Sequence, residues 1–201
     1  MDDITIYTAT GYMVGPDVMM TAAHTVLGCE DYSVEGFDIY IKHNSGSLYQ
    51  PNKRYWTTMY YSLAYHNTSG EYDYYDPEYD WAIFIMSSNV AAVTGYLGIG
   101  YQQTISNKAV SISGYPVADR YWQKYATGGE MDSFGPRRFT HNYFTQNGHS
   151  GAPVYDSSLI TWGLHTDGGS PILPGYGVRY TSGIYDTLCT LIDEGRDRYG
   201  Y

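Results

Sequence analysis

Apolar and polar residues alternate in short runs along most of this chain, and turn residues punctuate the runs. Ile4 to Thr8 alternates and predicts an opening strand. Gly15-Pro16-Asp17 separates Tyr12-Met13-Val14 from Val18-Met19-Met20, which predicts a hairpin with His24 just past its end. Phe37-Asp38-Ile39-Tyr40-Ile41-Lys42 alternates cleanly, as a half-buried strand does, and Asn44-Ser45-Gly46-Ser47 turns the chain after it. Trp56 to Tyr65 predicts one or two further strands. Glu71 to Tyr79 is acidic and aromatic and reads as a loop. It leads into Asp80-Trp81-Ala82-Ile83-Phe84-Ile85-Met86, apolar on both faces like a central barrel strand.

Ser87 to about Lys108 carries scattered small residues and glycines and reads as a crossing between two halves. Ala109 to Ser113 opens the second half. Tyr121–Tyr125, Arg138–Tyr143, Ala152–Tyr155, Ile160–His165 and Gly177–Thr181 are its further strand candidates. Short strands with turn signals at such intervals predict barrels or a sandwich. Ile184, Leu188, Leu191 and Ile192 fall at helical spacing, so the chain ends in an amphipathic helix.

Composition narrows the function classes. The 201 residues suffice for a sizeable core or two small barrels sharing an interface. Eleven basic residues against twenty-one acidic ones give a net charge of −10, which argues against a nucleic-acid surface. No apolar run reaches bilayer-spanning length. Tyr is abundant at 25 residues, in keeping with a β-rich, half-buried architecture. Cys29 and Cys189 either close a long disulfide loop or stay as two buried thiols. Met1-Asp2-Asp3 is acidic and no apolar segment follows, so no signal peptide is visible.

Three stretches carry candidate chemistry. Asn147-Gly148-His149-Ser150-Gly151-Ala152-Pro153 holds a serine between glycines, in a turn whose Gly148 and Ser150 N–H groups could form an oxyanion hole. A serine hydroxyl needs a base, and the base needs an orienting carboxylate. His24 follows Thr21-Ala22-Ala23 at a strand end, and Asp80 abuts the apolar strand that could hold it rigid behind an imidazole. Asp73 and Asp76 are its competitors. The order His, Asp, Ser is that of the chymotrypsin-like arrangement. Taken alone, His24 reads more readily as an ordinary histidine at a strand end than as a catalytic one.

From Gly11 to about Ile192 the chain resembles the chymotrypsin-fold serine proteases, and among them the bacterial glutamyl endopeptidases, the V8-protease-like group. Gly11-Tyr12-Met13-Val14-Gly15, Ser113-Gly114-Tyr115-Pro116 and Gly163-Leu164-His165-Thr166 support the match. The resemblance implies an all-β fold of two six-stranded antiparallel Greek-key barrels with a C-terminal helix. Residues 1–90 would carry His24 and Asp80, residues 91–107 the crossing, and residues 108–201 Ser150 and the specificity pocket. It implies His24 as general base, Asp80 as its orienter and Ser150 as nucleophile. It further implies a secreted monomer acting on proteins or peptides, with no cofactor, metal, nucleic acid or membrane.

The pocket follows from the same resemblance. His165 and Thr145 stand where the glutamyl endopeptidases have a His and a Thr or Ser, and Thr166 follows His165 on the same wall. An imidazole and a hydroxyl offer directional hydrogen bonds to a carboxylate. If the hold needs a protonated His165, cleavage after Glu weakens at alkaline pH. Phe144 stands where trypsin-like pockets have an Asp, so cleavage after Lys or Arg is not expected.

Two residues depart from the pattern. Asp167, near the pocket mouth, would repel an acidic substrate, and His149 reads as a surface residue. Two rival readings therefore stand, a pocket for neutral or aromatic residues and a catalytically silent barrel that binds. His165 could also be a satisfied core histidine. The Glu71–Glu78 stretch is a solvated loop or a calcium site, and Asn67-Thr68-Ser69 matches a glycosylation sequon by chance.

Overall fold

The computed structural model describes residues 8–27, 38–40, 53–69, 72–119, 124–170 and 172–201. In chain order the strands are β1 (Tyr12–Met13), β2 (Val18–Thr21), β3 (Ile39–Tyr40), β4 (Lys53–Arg54), β5 (Trp56–Tyr61), β6 (His66–Ser69), β7 (Tyr72–Tyr75) and β8 (Ala82–Met86). A short helix α1 (Ala91–Thr94) and strand β9 (Gly98–Ile99) follow in the crossing. The second half holds β10 (Lys108–Gly114), β11 (Lys124–Phe134), β12 (Arg138–His141), β13 (Pro153–Tyr155), β14 (Ile160–Gly168) and β15 (Gly175–Arg179), then helix α2 (Ser182–Tyr199).

The expected hairpin forms. Tyr12 pairs with Met20 and Met13 with Met19, and β8 adds to β2 with Thr21 opposite Ala82. All five residues of β8 are buried, as its unbroken apolar run requires. With β5 on the far edge the first half presents a sheet ordered β1-β2-β8-β5, beside the ribbons β3-β4 and β6-β7. The predicted opening strand at Ile4, the turn at Asn44 and Cys29 lie outside the described residues, as do parts of the six strands expected of this half.

The second half is a closed barrel. Strands run β13-β10-β11-β12-β15-β14, and pairing of β13 with β14 shuts the ring at six strands. Along β12, Phe139 and His141 point inward while Arg138 and Thr140 are half-buried, the period-two pattern of a strand with one packed face.

Two expectations need correction. The segment around Tyr72 is not a loop: β7 pairs antiparallel with β6, because Tyr-Asp-Tyr-Tyr alternates well enough to make a ladder despite its charge. β11 extends to Phe134, well past the predicted Tyr125, with a register shift opposite Val110 and Ser111 that absorbs Gly128-Gly129.

Helix α2 locks the halves together. Thr181 caps its start by accepting from the Ile184 N–H, and left-handed Gly200 ends it. Ile184, Leu188, Leu191 and Ile192 enter one buried cluster with Tyr12, Val14, Val18 and Met20 of the first half and Leu164, Val178 and Tyr180 of the second. Burying each large aliphatic side chain stabilises by roughly 1.5–3 kcal/mol. Arg179 is buried without a carboxylate and instead donates to the carbonyls of Gln102 (3.0 Å), Gln103 (2.8 Å) and Pro136 (2.5 Å), tying the crossing segment to the barrel.

Candidate active site

His24 sits on a one-turn 3-10 helix, Ala23–Thr25, that follows β2 immediately. Thr21 and Ala82 are register partners, so the end of β2 brings His24 beside the residues leading into β8. Asp80 stands there, 5% exposed. It holds the histidine at two points: Oδ1 accepts the His24 backbone N–H at 2.9 Å, and Oδ2 meets ring Nδ1 at 2.7 Å. The second contact puts a proton on Nδ1 and leaves Nε2 free to accept one. Burial alone would push the His24 pKa down. The hydrogen bond and charge of Asp80, with a further contribution from Asp167, outweigh it and hold the pKa above the ordinary value. Asp76 has a separate task, since its Oδ1 accepts the Glu78 N–H and caps the 3-10 turn Pro77–Tyr79.

The Ser150 turn is shaped by two glycines at positive φ, Gly148 at 99° and Gly151 at 84°. A side chain at Gly148 would collide with the Tyr115 carbonyl, and one at Gly151 with the Thr10 carbonyl and the Thr21 hydroxyl. That close approach brings the Ser150 turn against the strand leading to His24. Thr10, which the sequence did not single out, clamps the turn. Its Oγ1 donates to the Gly148 carbonyl (2.8 Å), its N–H donates to the Ser150 carbonyl (2.9 Å), and the Thr10 carbonyl accepts from Thr21 Oγ1 (2.8 Å). Gly151 N–H reaches the His165 carbonyl at 2.8 Å. Among the described residues the N–H groups of Gly148 and Ser150 donate to no protein acceptor.

Ser150, Thr145, His165, Thr166 and Asp167 line a single cleft of about 520 Å³, with Tyr176 and Leu173 on its rim. His165 is only 3% exposed and stacks obliquely on His141, ring centroids 5.0 Å apart. His141 had not been picked out from sequence. The alternation of β12 could have shown it facing inward, and Gly175 opposite leaves room for its ring. The hydrogen bonds determine both tautomers. Tyr143 N–H donates to His141 Nδ1 at 3.2 Å, so His141 carries its proton on Nε2 and gives it to His165 Nδ1 at 2.9 Å. His165 then keeps its own proton on Nε2.

Electrostatically this pair is the reverse of His24. Burial, then the neighbouring His141, His149 and His24, hold the His165 pKa well below its ordinary value, and burial brings His141 down to about 4. Both rings are therefore neutral near pH 7 in the free protein.

Two further expectations change. His149 is buried rather than on the surface, with Nδ1 near the Gln146 carbonyl at 3.1 Å, because the turn folds its ring back beneath the loop. The Thr145 hydroxyl is engaged within the protein, donating to the Gly168 carbonyl. Thr166 Oγ1 lies 3.5 Å from the Tyr176 carbonyl. Cys189 is a free, half-buried thiol on α2. Among the described residues no group of three His, Cys, Asp or Glu is arranged to hold a metal ion, and no helix is long and apolar enough to cross a membrane.

Comparison with known proteins fits this geometry. The chain is 26% identical to the extracellular metalloprotease of Bacillus subtilis over 90% of its length, and 25% identical to the glutamyl endopeptidase of Bacillus licheniformis over 91%. It spans only 57% and 59% of those two proteins. Among solved structures, a Glu endopeptidase in complex with MPD superposes with a TM-score of 0.75 at 21% identity, covering 92% of this chain and 85% of that one. A scabies mite inactivated protease paralogue superposes at 0.64 and 17% identity, covering 92% and 86%, so the fold is shared by proteins whether or not they cleave. Residues 9–159 match the trypsin-like peptidase domain, which is three quarters of the chain. With its closed six-stranded barrel, its C-terminal helix and that match, the chain belongs to the trypsin-like peptidase family of hydrolases and has the chymotrypsin fold.

Proposed function

We propose that this chain is a secreted serine endopeptidase that cleaves after Glu, and less well after Asp. The observation that carries the reading is the two-point hold of Asp80 on His24 beside a cleft lined by Ser150 and His165. Ser150 Oγ attacks the substrate carbonyl while His24 Nε2 takes its proton. The resulting oxyanion is met by the Gly148 and Ser150 N–H groups. His24 returns the proton to the leaving amine, and water, activated by the same ring, hydrolyses the acyl-enzyme. Asp80 stabilises the imidazolium without taking a proton from it.

His165 acts as a neutral donor. Its Nε2–H, which meets the Tyr176 carbonyl in the free protein, turns to a substrate carboxylate, and His141 behind it supplies the proton that orients the ring. A carboxylate bound there raises the His165 pKa, since an opposite charge favours the protonated form. Recognition of Glu thus begins from an uncharged pocket. The name of the Bacillus licheniformis relative supports the acidic preference, and the word extracellular in that of the Bacillus subtilis relative supports secretion.

Two measurements decide between this and its rivals. In a peptide series varied only at the residue before the scissile bond, Glu should be cut faster than Gln or Phe by tenfold or more. Equal rates on Gln or Phe would favour the neutral pocket. An organophosphonate should label wild-type protein and not Ser150→Ala, and failure to label folded wild type would favour a silent binding barrel.

A further inference from the structure

Asp167 is the only charged side chain lining the Ser150 cleft among the described residues, and the proposed chemistry gives it nothing to do. It is exposed to solvent, and no hydrogen bond or ion pair joins it to another described residue. Its direction comes from a bulge. His165 pairs with Gly177 and Asp167 with Tyr176, so Thr166 is an extra residue in the β14 ladder. In a regular strand Asp167 would share a face with His165. The bulge instead leaves His165 and Thr166 buried and turns Asp167 outward into the open side of the cleft. Asp167 is near enough to His24 for its charge to act on that ring.

An extended peptide with one side chain in the His165 pocket points the preceding side chain to the opposite face, about 3.3 Å back along the chain. That places the preceding residue between His24 and Asp167. A cation there meets an unpaired carboxylate, and an anion meets like charge. We propose that Asp167 is a specificity-determining residue that selects Lys or Arg immediately before the residue held in the pocket, and rejects Glu and Asp there. The cleft then suits peptides in which a basic residue precedes an acidic one, and the basic residue offsets the repulsion that Asp167 exerts on the acidic one. The inference rests on Ser150 as nucleophile but not on which residue fills the pocket.

The test is kcat/KM on peptides carrying Lys, Gln or Glu at the preceding position, each made with Glu and with Gln in the pocket position. Wild type should prefer Lys to Glu by about tenfold at low ionic strength, less at high salt, as a partly exposed ion pair allows. In Asp167→Asn the ratio should fall to about one, while Asp167→Glu should keep most of it. A ratio that survives in Asp167→Asn, or is absent in wild type, overturns the proposal. Should Glu in the pocket hold no advantage over Gln, the acidic-pocket reading falls while the Lys preference remains. Should no peptide be cleaved and no phosphonate react, both fall together.

Discussion

His24 and His165 are the same side chain in opposite surroundings. In the first half a partly exposed imidazole, its side chain 36% accessible, leans on a buried carboxylate and is held above its ordinary pKa. In the second half a sealed imidazole leans on another imidazole and is held below it. The first surroundings suit a ring that must take up a proton and carry charge for a moment. The second suit a ring that must stay neutral and donate in a chosen direction. Neither behaviour belongs to histidine as such: the Asp80 carboxylate outweighs burial at His24, whereas burial, then the neighbouring imidazoles, prevails at His165.

The most drastic way to break the contrast is Asp80→Asn. It should cost about 10⁴-fold in kcat, the size expected when a base loses the carboxylate that sets its tautomer. The Glu-to-Gln preference should stay unchanged, because the His141–His165 pair is untouched. Loss of that preference along with rate would mean the two sides are not separable.

His141→Phe attacks the other side. It should reduce Glu cleavage by about tenfold or more while Gln cleavage falls far less. It also carries a pH signature. An unfolded histidine titrates near 6.5 and folded His141 at about 4, so below pH 6.5 the unfolded chain binds the extra proton. Stability is therefore complete above pH 6.5 and declines as pH falls towards 4, by about 3 kcal/mol from this ring alone. Depressed His165 adds a decline of the same sign, and His24, raised, works the other way. Urea unfolding between pH 7 and 4 should show a shallower slope in His141→Phe than in wild type, and an unchanged slope would contradict a neutral buried His141.

The gentlest probe is Thr10→Val, which removes the hydroxyl that bridges Gly148 and the Tyr115 N–H. A buried hydrogen bond is worth about 1 kcal/mol, so kcat should drop about fivefold to tenfold on every substrate alike. A change confined to acidic substrates would place Thr10 in the pocket instead of behind the oxyanion turn.

Much of this contrast could be read in the chain before the fold was known. Alternation exposed the hairpin before His24, the buried run after Asp80 and the helix at Ile184, because each obeys a single period. His24, Asp80 and Ser150 stood out as short motifs in a telling order. The rest failed for physical reasons. The strand expected to stop at Tyr125 runs on to Phe134, because β11 passes its glycines by shifting register. His149 sits in a glycine turn that predicts exposure, but the turn folds inward. His141 occupies an ordinary inward position of an ordinary strand, and only its meeting with His165, from 24 residues away, gives it meaning. Thr10 was invisible for the same reason.

The clamp of Thr10 on the Gly148 turn joins residues 138 positions apart, and Tyr12 meets Tyr180 across 168. Such contacts are the costliest to reach for a folding chain, because the entropy of closing so large a loop precedes any reward. Until β15 and α2 have formed, β1 and β2 can make their hairpin and β8 can join it, but the contact of Tyr12 with Tyr180 has no second partner.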